Sequence, residues 1–338
     1  MTTSKIGRAE ACANIALAKY WGKSPLGDNL TAVPSLSLTL DALRSRTEVK
    51  WCTDQEQDEV VLNGEAVVGR PLQRVSHALD LVHQEKQERP KAKVLSLNNF
   101  PTAAGLASSA SGFAALICAA AHATGEKLPS SELSNLARKC SASAGRSIFP
   151  GFAELLAETG PGAPIAPANH WDVAMLVAVI ASGPKPIGST GGMLQTAQTC
   201  PYYSAWVKDA PAVFDEVKAG VLERDFERVA IHMEHSTRMM HATMITSLPP
   251  VIYLKGPTIE LMHEIAKRRQ KGHPEAYTMD AGPNVKVFTL GNHVAKTQAF
   301  LESIPGVEKV IICRPGPAAA ELSLDSSLET APRSRELS

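Results

Sequence analysis

The stretch Pro101-Thr-Ala-Ala-Gly105-Leu-Ala-Ser108-Ser109-Ala-Ser111-Gly112 joins a loop of small residues to an apolar run, Phe113 to Ala121. Gly105 has no Cβ, so the backbone there can take unusual dihedrals and come close to a ligand. Three serines fall in the first turns of the run. Free backbone N–H groups and the positive end of a helix dipole favour an anion at such a place. The anion that fits is a nucleotide polyphosphate. A close-packed core helix, whose small residues let a neighbour approach, would carry the same pattern, and this segment alone does not separate the two.

Three further clusters offer chemistry. Lys19, Tyr20 and Lys23 place two ammonium groups and a phenol within five residues, which by itself reads as a solvated face. Ser141-Ala-Ser143-Ala-Gly145-Arg146 pairs hydroxyls with a guanidinium, whose planar fork suits phosphate oxygens. A helix end with a surface arginine is the alternative. Asp280 stands between a short apolar stretch and Ala281-Gly-Pro-Asn284. Its carboxylate can cap a turn, or, in a phosphate-lined cleft, act as a general base or orient a hydroxyl.

Other chemistries are excluded or left without support. Gly22-Lys23-Ser24 resembles the end of a P-loop, but that pattern needs a glycine at position 17, where this chain has Leu17. His232, His235, His241 and His263-Glu264 form no HExxH and no ligand set, so no metal is assigned to protein side chains. Lysine plus arginine (34) equals aspartate plus glutamate (34), so no basic field points to nucleic acid or a membrane surface. Cys12, Cys52, Cys118, Cys140, Cys200 and Cys313 are scattered without a CxxC pair, as expected of reduced thiols. The N-terminal residues lack the apolar run of a signal peptide, no span approaches membrane length, and the final Arg-Glu-Leu-Ser is not a peroxisomal address. Cytoplasm is the expected location.

The elements that must position these groups are legible in outline. Residues 6–16 and 35–50 read as strands, and Asn63-Gly64 between 60–62 and Val67 reads as a hairpin. Apolar residues at 72, 75, 79 and 82 give helical spacing over 72–87, and 94–98 reads as a strand entering the glycine loop. Helices are expected at 106–122 and 131–142, the second capped by Ser130 or Ser131, then a buried strand at 174–182. Further helices are expected at 205–221, 225–241 and 257–270, strands at 277–279 and 285–290, a helix at 291–301 and a strand at 307–313. Residues beyond about 324 read as a frayed tail. Five polar segments punctuate this pattern: 14–23, 98–112, 141–146, 188–199 and 280–284. Strands followed by helices without strict βαβ alternation give an α+β class with two lobes facing across a cleft.

Together these segments resemble the diphosphomevalonate decarboxylases of the GHMP kinase superfamily over about residues 8–322. Asn14-Ile-Ala-Leu-Ala-Lys19-Tyr20-Trp21-Gly22-Lys23 is similar to that family's N-terminal signature. Asn98 to Phe113 is similar to its ATP-binding loop, and Gly188-Ser-Thr-Gly-Gly-Met193 and Tyr277-Thr-Met-Asp280-Ala-Gly-Pro-Asn284 follow in the family's order. The resemblance implies a two-lobed GHMP kinase fold, with lobes over 1–172 and 173–324, a tail over 325–338, and the active site between the lobes. It implies ATP-dependent decarboxylation of mevalonate 5-diphosphate, with ATP and Mg2+ required and a homodimer. Asp280 and Lys19 become catalytic residues. Asn14, Tyr20, Trp21, Gly22, Lys23, Arg74, Ser141, Ala142, Ser143, Ala144, Gly145, Arg146 and Thr199 would face the phosphorylated substrate. Pro101, Ala104, Gly105, Leu106, Ala107, Ser108, Ser109, Ser111 and Ser189 would face ATP.

The chain departs from the family pattern at three positions. It has Ala142 for glycine, Gly145 for cysteine and Pro150 for a second glycine. A methyl group at a phosphate-facing turn and a lost backbone donor bear on the phosphorylation state of the substrate. The alternatives are therefore a decarboxylase of mevalonate 5-phosphate, a mevalonate 3-kinase, and an inactive binder of phosphorylated ligands.

Overall fold

The structure is a computed structural model that describes residues 6–83, 89–100, 108–181, 187–324 and 328. Alternation of apolar and polar residues makes β1 (Ile6–Ala18) and β2 (Ser35–Cys52), a long antiparallel pair. The outer half of β1 buries every second residue. From Ala11 onward it is buried on both faces, because other elements cover the second face there. β3 (Glu59–Leu62) and β4 (Glu65–Ala66) close through Asn63-Gly64, with φ of 53° and 88°. Two successive positive φ values match the twist of the flanking strands, and Asn-Gly supplies them cheaply.

α1 (Arg70–His83) and β5 (Lys91–Asn98) follow, then α2 (Ser108–Thr124) and α3 (Ser130–Cys140). A 3-10 turn over Ala142–Ile148 leads into β6 (Phe152–Leu155) and β7 (Ala163–Ala166). β8 (Val173–Val179), buried throughout, begins a second sheet. Four helices come next: α4 (Ser189–Thr199), α5 (Tyr203–Glu223), α6 (Phe226–Ile245) and α7 (Gly256–Gln270). The chain ends through β9 (Glu275–Thr278), β10 (Val285–Leu290), α8 (Val294–Glu302), β11 (Lys309–Cys313) and β12 (Ala320–Glu321).

The large sheet runs β12-β1-β2-β5-β3-β4, with β6 also on β2 and β7 on β6, and the small sheet runs β11-β8-β10-β9. Ala114, Ile117 and Ala120 of α2 pack on Val49 and Val94 of the large sheet. A second core joins the lobes, where Ile15, Leu17 and Leu38 meet Met175, Val177, Phe214 and Phe288.

Several boundaries differ from the sequence expectations for identifiable reasons. Neither Ser130 nor Ser131 caps α3. Its N-cap is Pro129, whose carbonyl accepts from Glu132 and Leu133, and no side chain caps it. That helix stops at Cys140, because Ser141 is extended with φ −155° before the chain tightens into the 3-10 turn. The polar segment 188–199 is the helix α4, masked in sequence by Gly191-Gly192. Gly192 suits close packing: a Cβ there would lie 3.0 Å from the Trp21 ring, which would have to give by a few tenths of an ångström. The segment 291–301 opens with a 3-10 turn over 291–293 before α8. Residues 84–87 of the expected first helix, residues 101–107, 182 and nearly all of the expected tail lie outside the described residues.

Phe288 holds the second lobe's sheet to α6. It is fully buried, stacked on Phe226 at 5.7 Å and edge-on to Trp171 at 5.5 Å. Phe288→Ala is expected to cost about 3–5 kcal/mol of unfolding free energy, read by urea denaturation. A cost below about 1 kcal/mol would mean that this contact does not hold the lobe together.

Candidate active site

β1 and β9 meet end to end where the lobes join. Thr278 Oγ1 donates to the Ala16 carbonyl at 3.1 Å, and the Lys19 N–H donates to Ser236 Oγ on α6 at 2.9 Å. The residues that follow the two strands are therefore brought face to face. Lys19 Nζ lies 2.6 Å from Asp280 Oδ1, and Lys286 Nζ, from β10, lies 3.6 Å from Asp280 Oδ2. The two lysines are 2% and 0% exposed, whereas Asp280 is 27% exposed. The carboxylate thus opens to the cleft with ammonium groups behind it.

Arg146 is carried by the 3-10 turn and buried against β1 and β2. Its Nε donates to Ser37 Oγ at 2.9 Å, Nη1 to Ser35 Oγ at 2.6 Å and Nη2 to Asn14 Oδ1 at 3.3 Å. Asn14 in turn donates to the Ser143 carbonyl at 2.9 Å and to Ser147 Oγ at 2.7 Å, which fixes its amide. All these partners of Arg146 are neutral, so its charge stays available to a ligand.

Burial sets the electrostatics. It lowers Lys19 to about 8, against the opposing pull of Asp280, and lowers Lys23 to about 8 with help from Arg138 and Arg74. Arg146 falls to about 10, again through burial, and remains charged at neutral pH. Lys286 is lowered for the same reason. A buried group of cations around one carboxylate is costly until an anion completes it. The arrangement is therefore a receptor for a polyanion.

Asn14, Lys19, Tyr20, Trp21, Ser109, Ser143, Arg146, Ser189 and Asp280 line one cleft. A second pocket, walled by Val60, Leu62, Val75, Val94 and Leu116, carries Asn98, Ser108, Ser109 and Arg74 on its polar rim. Ser109, in the first turn of α2, lines both. Trp21 is set by its neighbours: its Nε1 donates to Thr196 Oγ1 at 3.0 Å, and Trp206 Nε1 donates to its carbonyl at 2.9 Å. Gly22 adopts φ +120°, and a Cβ there would lie 1.8 Å from the Tyr203 hydroxyl. Lys23 sits over the Tyr20 ring at 5.4 Å, and Arg74 over the Phe113 ring at 4.7 Å.

Other sequence-selected residues lie elsewhere. Ser111 is fully buried with its Oγ 2.7 Å from Ser45 Oγ, so it holds α2 to β2. The Thr199 hydroxyl donates to the Gln195 carbonyl at 2.8 Å and accepts from the Leu248 N–H at 2.9 Å, away from the cleft wall. Ser141 Oγ lies 3.4 Å from Ser143 Oγ, while Ala142, Ala144 and Gly145 are buried behind the cleft. Gly145 meets α3: its carbonyl accepts from Ser134 Oγ at 2.8 Å, and a Cβ would come 3.0 Å from the Ser134 carbonyl. The Ala142 and Gly145 departures therefore sit in packing rather than on the wall facing a ligand. Pro101, Ala104, Gly105, Leu106 and Ala107 lie outside the described residues.

Sequence reasoning missed Lys286 and passed over His241. The signal for Lys286 was a lone lysine inside the apolar strand 285–290. His241 is buried near Lys19 and Asp280, is lowered to about 4 chiefly by burial, and stays neutral. A separate cluster of His273, Glu275 and His293 lies off the cleft. Its carboxylate already accepts from Arg268 at 2.6 and 2.9 Å and from Thr297 at 2.9 Å.

Comparison with known proteins agrees with this geometry. Residues 11–163 match the model of the diphosphomevalonate decarboxylase-like N-terminal domain, and residues 175–330 that of the mevalonate 5-diphosphate decarboxylase C-terminal domain. The chain is 35% identical to the diphosphomevalonate decarboxylase of Homo sapiens over 358 residues, covering 95% of this chain and 88% of that protein. The crystal structure of mevalonate diphosphate decarboxylase from Staphylococcus aureus superposes with a TM-score of 0.89 at 35% identity, covering 95% of this chain and 99% of that one. A structure described as MDDEF in complex with MVAPP, AMPPCP and magnesium gives a TM-score of 0.87 at 37% identity, covering 95% and 100%. The two-lobed α+β architecture is the GHMP kinase fold, and the chain belongs to the diphosphomevalonate decarboxylase family.

Proposed function

We propose that this chain catalyses the ATP-dependent decarboxylation of (R)-5-diphosphomevalonate to isopentenyl diphosphate, releasing ADP, phosphate and carbon dioxide. One observation carries the reading. An open carboxylate, Asp280, backed by two buried lysines, shares its cleft with an uncompensated Arg146, and Ser109 joins that cleft to an apolar pocket. The apolar pocket suits an adenine, the N-terminus of α2 suits phosphates, and the cationic cleft suits a diphosphate.

The chemistry follows from the substrate. Its tertiary 3-hydroxyl is a poor leaving group and must first become a phosphate ester. Asp280 accepts the hydrogen bond of that hydroxyl and directs its oxygen at the γ-phosphorus. Lys19, at the cleft wall, stabilises the negative charge that shifts during transfer. When the 3-phosphate departs with its bonding pair, the C1–C2 bond supplies electrons for the new C2–C3 double bond and C1 leaves as carbon dioxide. Arg146, Ser143, Lys23 and Arg74 hold the 5-diphosphate, so the substrate's reacting end is presented to Asp280. Magnesium bound with ATP would supply charge neutralisation at the phosphate oxygens, held by the nucleotide's own phosphates and the Ser109 hydroxyl. Asp280 is the sole carboxylate on the cleft wall among the described residues, so the ion's charge would be met chiefly by phosphate oxygens. The cysteines are free thiols, which supports a reducing, cytoplasmic setting, and the resemblance supports a homodimer. No described helix is long and apolar enough to cross a membrane.

Measuring ADP and carbon dioxide with each phosphorylated mevalonate tests the reading. One carbon dioxide per ADP, with the diphosphate preferred, is expected. ADP without carbon dioxide indicates a 3-kinase, preference for the monophosphate reassigns the substrate, and neither product indicates a binding protein. Asp280→Asn keeps the shape and removes the charge, so turnover is expected to fall at least about a hundredfold with ATP binding retained. Near-normal turnover would remove Asp280 from its role. Arg146→Lys keeps one charge but loses the fork, and is expected to raise KM for the phosphorylated mevalonate more than that for ATP. A selective rise for ATP would move Arg146 out of the diphosphate site.

A further inference from the structure

Lys19 reaches Asp280 from the cleft wall, but Lys286 reaches it from inside the protein. Lys286 lies opposite Thr278 in the β9–β10 ladder. Strand alternation puts it on the face of Phe288, toward α6 and β1, while Val285 and Val287 join the core on the other face. Its side chain is 0% exposed and it is not part of the cleft wall, so it does not touch a ligand there. Its Nζ approaches Asp280 Oδ2 at 3.6 Å and donates to the Asn284 carbonyl at 3.2 Å. Asn284 is itself anchored: its Oδ1 accepts from Ile180 N at 2.8 Å and Ala181 N at 3.1 Å at the end of β8. The turn bearing Asp280 is therefore held to the end of β8 through the Asn284 side chain, and its carboxylate is held by two ammonium groups on opposite oxygens. A methionine of similar length would fill the same space without the cost of burying an ammonium group. The charge, rather than the shape, is what position 286 supplies.

We infer that Lys286 is a positioning residue for the decarboxylation: it holds Asp280 Oδ2 so that the carboxylate stays ionised and aims at the substrate hydroxyl. The inference rests on the proposed role of Asp280. The other charged and titratable groups around that carboxylate are Lys19 from the end of β1, Tyr20 beside it, Arg146 from the 3-10 turn and His241 from α6. Lys19 stays in place when Lys286 is changed, so Asp280 keeps that ion pair and loses the one with Lys286.

The test compares the unaltered chain with Lys286→Met and Lys286→Arg, measuring kcat, both KM values and the pH profile of kcat, with ATP affinity as the check on folding. In the methionine variant kcat is expected to fall tenfold to a hundredfold while both KM values stay within about threefold. The acid limb of its profile is expected to move up by about one pH unit, because a cation that favoured the ionised carboxylate is gone. The arginine variant keeps the charge and is expected to keep the limb in place. A methionine variant that binds ATP and retains the original kcat and limb overturns the inference, as does a rise in KM alone. Should the methionine variant fail to bind ATP, the arginine variant decides: a displaced limb there overturns the inference, and an unmoved limb with turnover retained supports it. Absence of carbon dioxide from the unaltered chain refutes the functional reading and this inference with it, whereas normal release with identical profiles refutes this inference alone.

Discussion

Positive charge buried without enough negative charge to match it is the constraint on which this structure turns. Lys19, Lys286 and Arg146 are removed from water around one carboxylate, and burial alone pulls each below its ordinary proton affinity. Such a cluster persists only if rigid neighbours hold it, and a ligand of opposite sign offsets its cost. The fold supplies the rigidity. Thr278 fastens β9 to β1, the serines of β2 hold the guanidinium, and the core shared by both lobes prevents the cations from moving apart. The site is thus a product of the junction between lobes, and neither lobe contains it alone.

The same constraint explains why two of the departures from the family pattern matter less than their position in the sequence suggests. Ala142 and Gly145 flank the residues that line the cleft, yet both are buried away from it, where Gly145 lets Ser134 of α3 approach. Ser143 and Arg146 remain on the cleft wall. The 3-10 turn repeats every three residues, so Ser143 and Arg146, three apart, share its cleft side while Ala142, Ala144 and Gly145 are buried.

What was legible in the sequence was whatever local physics determines. Asn63-Gly64 announced its hairpin because two positive φ values have few other solutions. The long strands followed from periodicity, α2 from the apolar run after the glycine-serine loop, and the motif residues Lys19, Arg146 and Asp280 were singled out by their chemistry. What escaped was fixed by tertiary partners. The helix α4 was obscured by Gly191-Gly192, and the reason for Gly192, the Trp21 ring, lies far away in sequence. Thr199 and Ser111 looked like ligand contacts, but their hydroxyls serve the Leu248 N–H and Ser45. Lys286 was not singled out: a lone lysine in an apolar strand marks it as unusual, but only the β9–β10 turn shows that it stands beside a carboxylate.

Proton uptake on ligand binding tests the central claim, that a bound diphosphate completes a deficit of negative charge. In the free protein Lys19 and Lys23 titrate near 8, lowered by burial. An adjacent polyanion raises both, so its contribution to affinity is complete below about pH 8 and is lost as pH rises through the higher values of the complex. The measurement is titration calorimetry of diphosphomevalonate at pH 8.5, in two buffers of different ionisation enthalpy. The account predicts net uptake of about one proton per chain, with affinity weakening from there toward higher pH. Identical heats in both buffers, with affinity indifferent to pH, would contradict it.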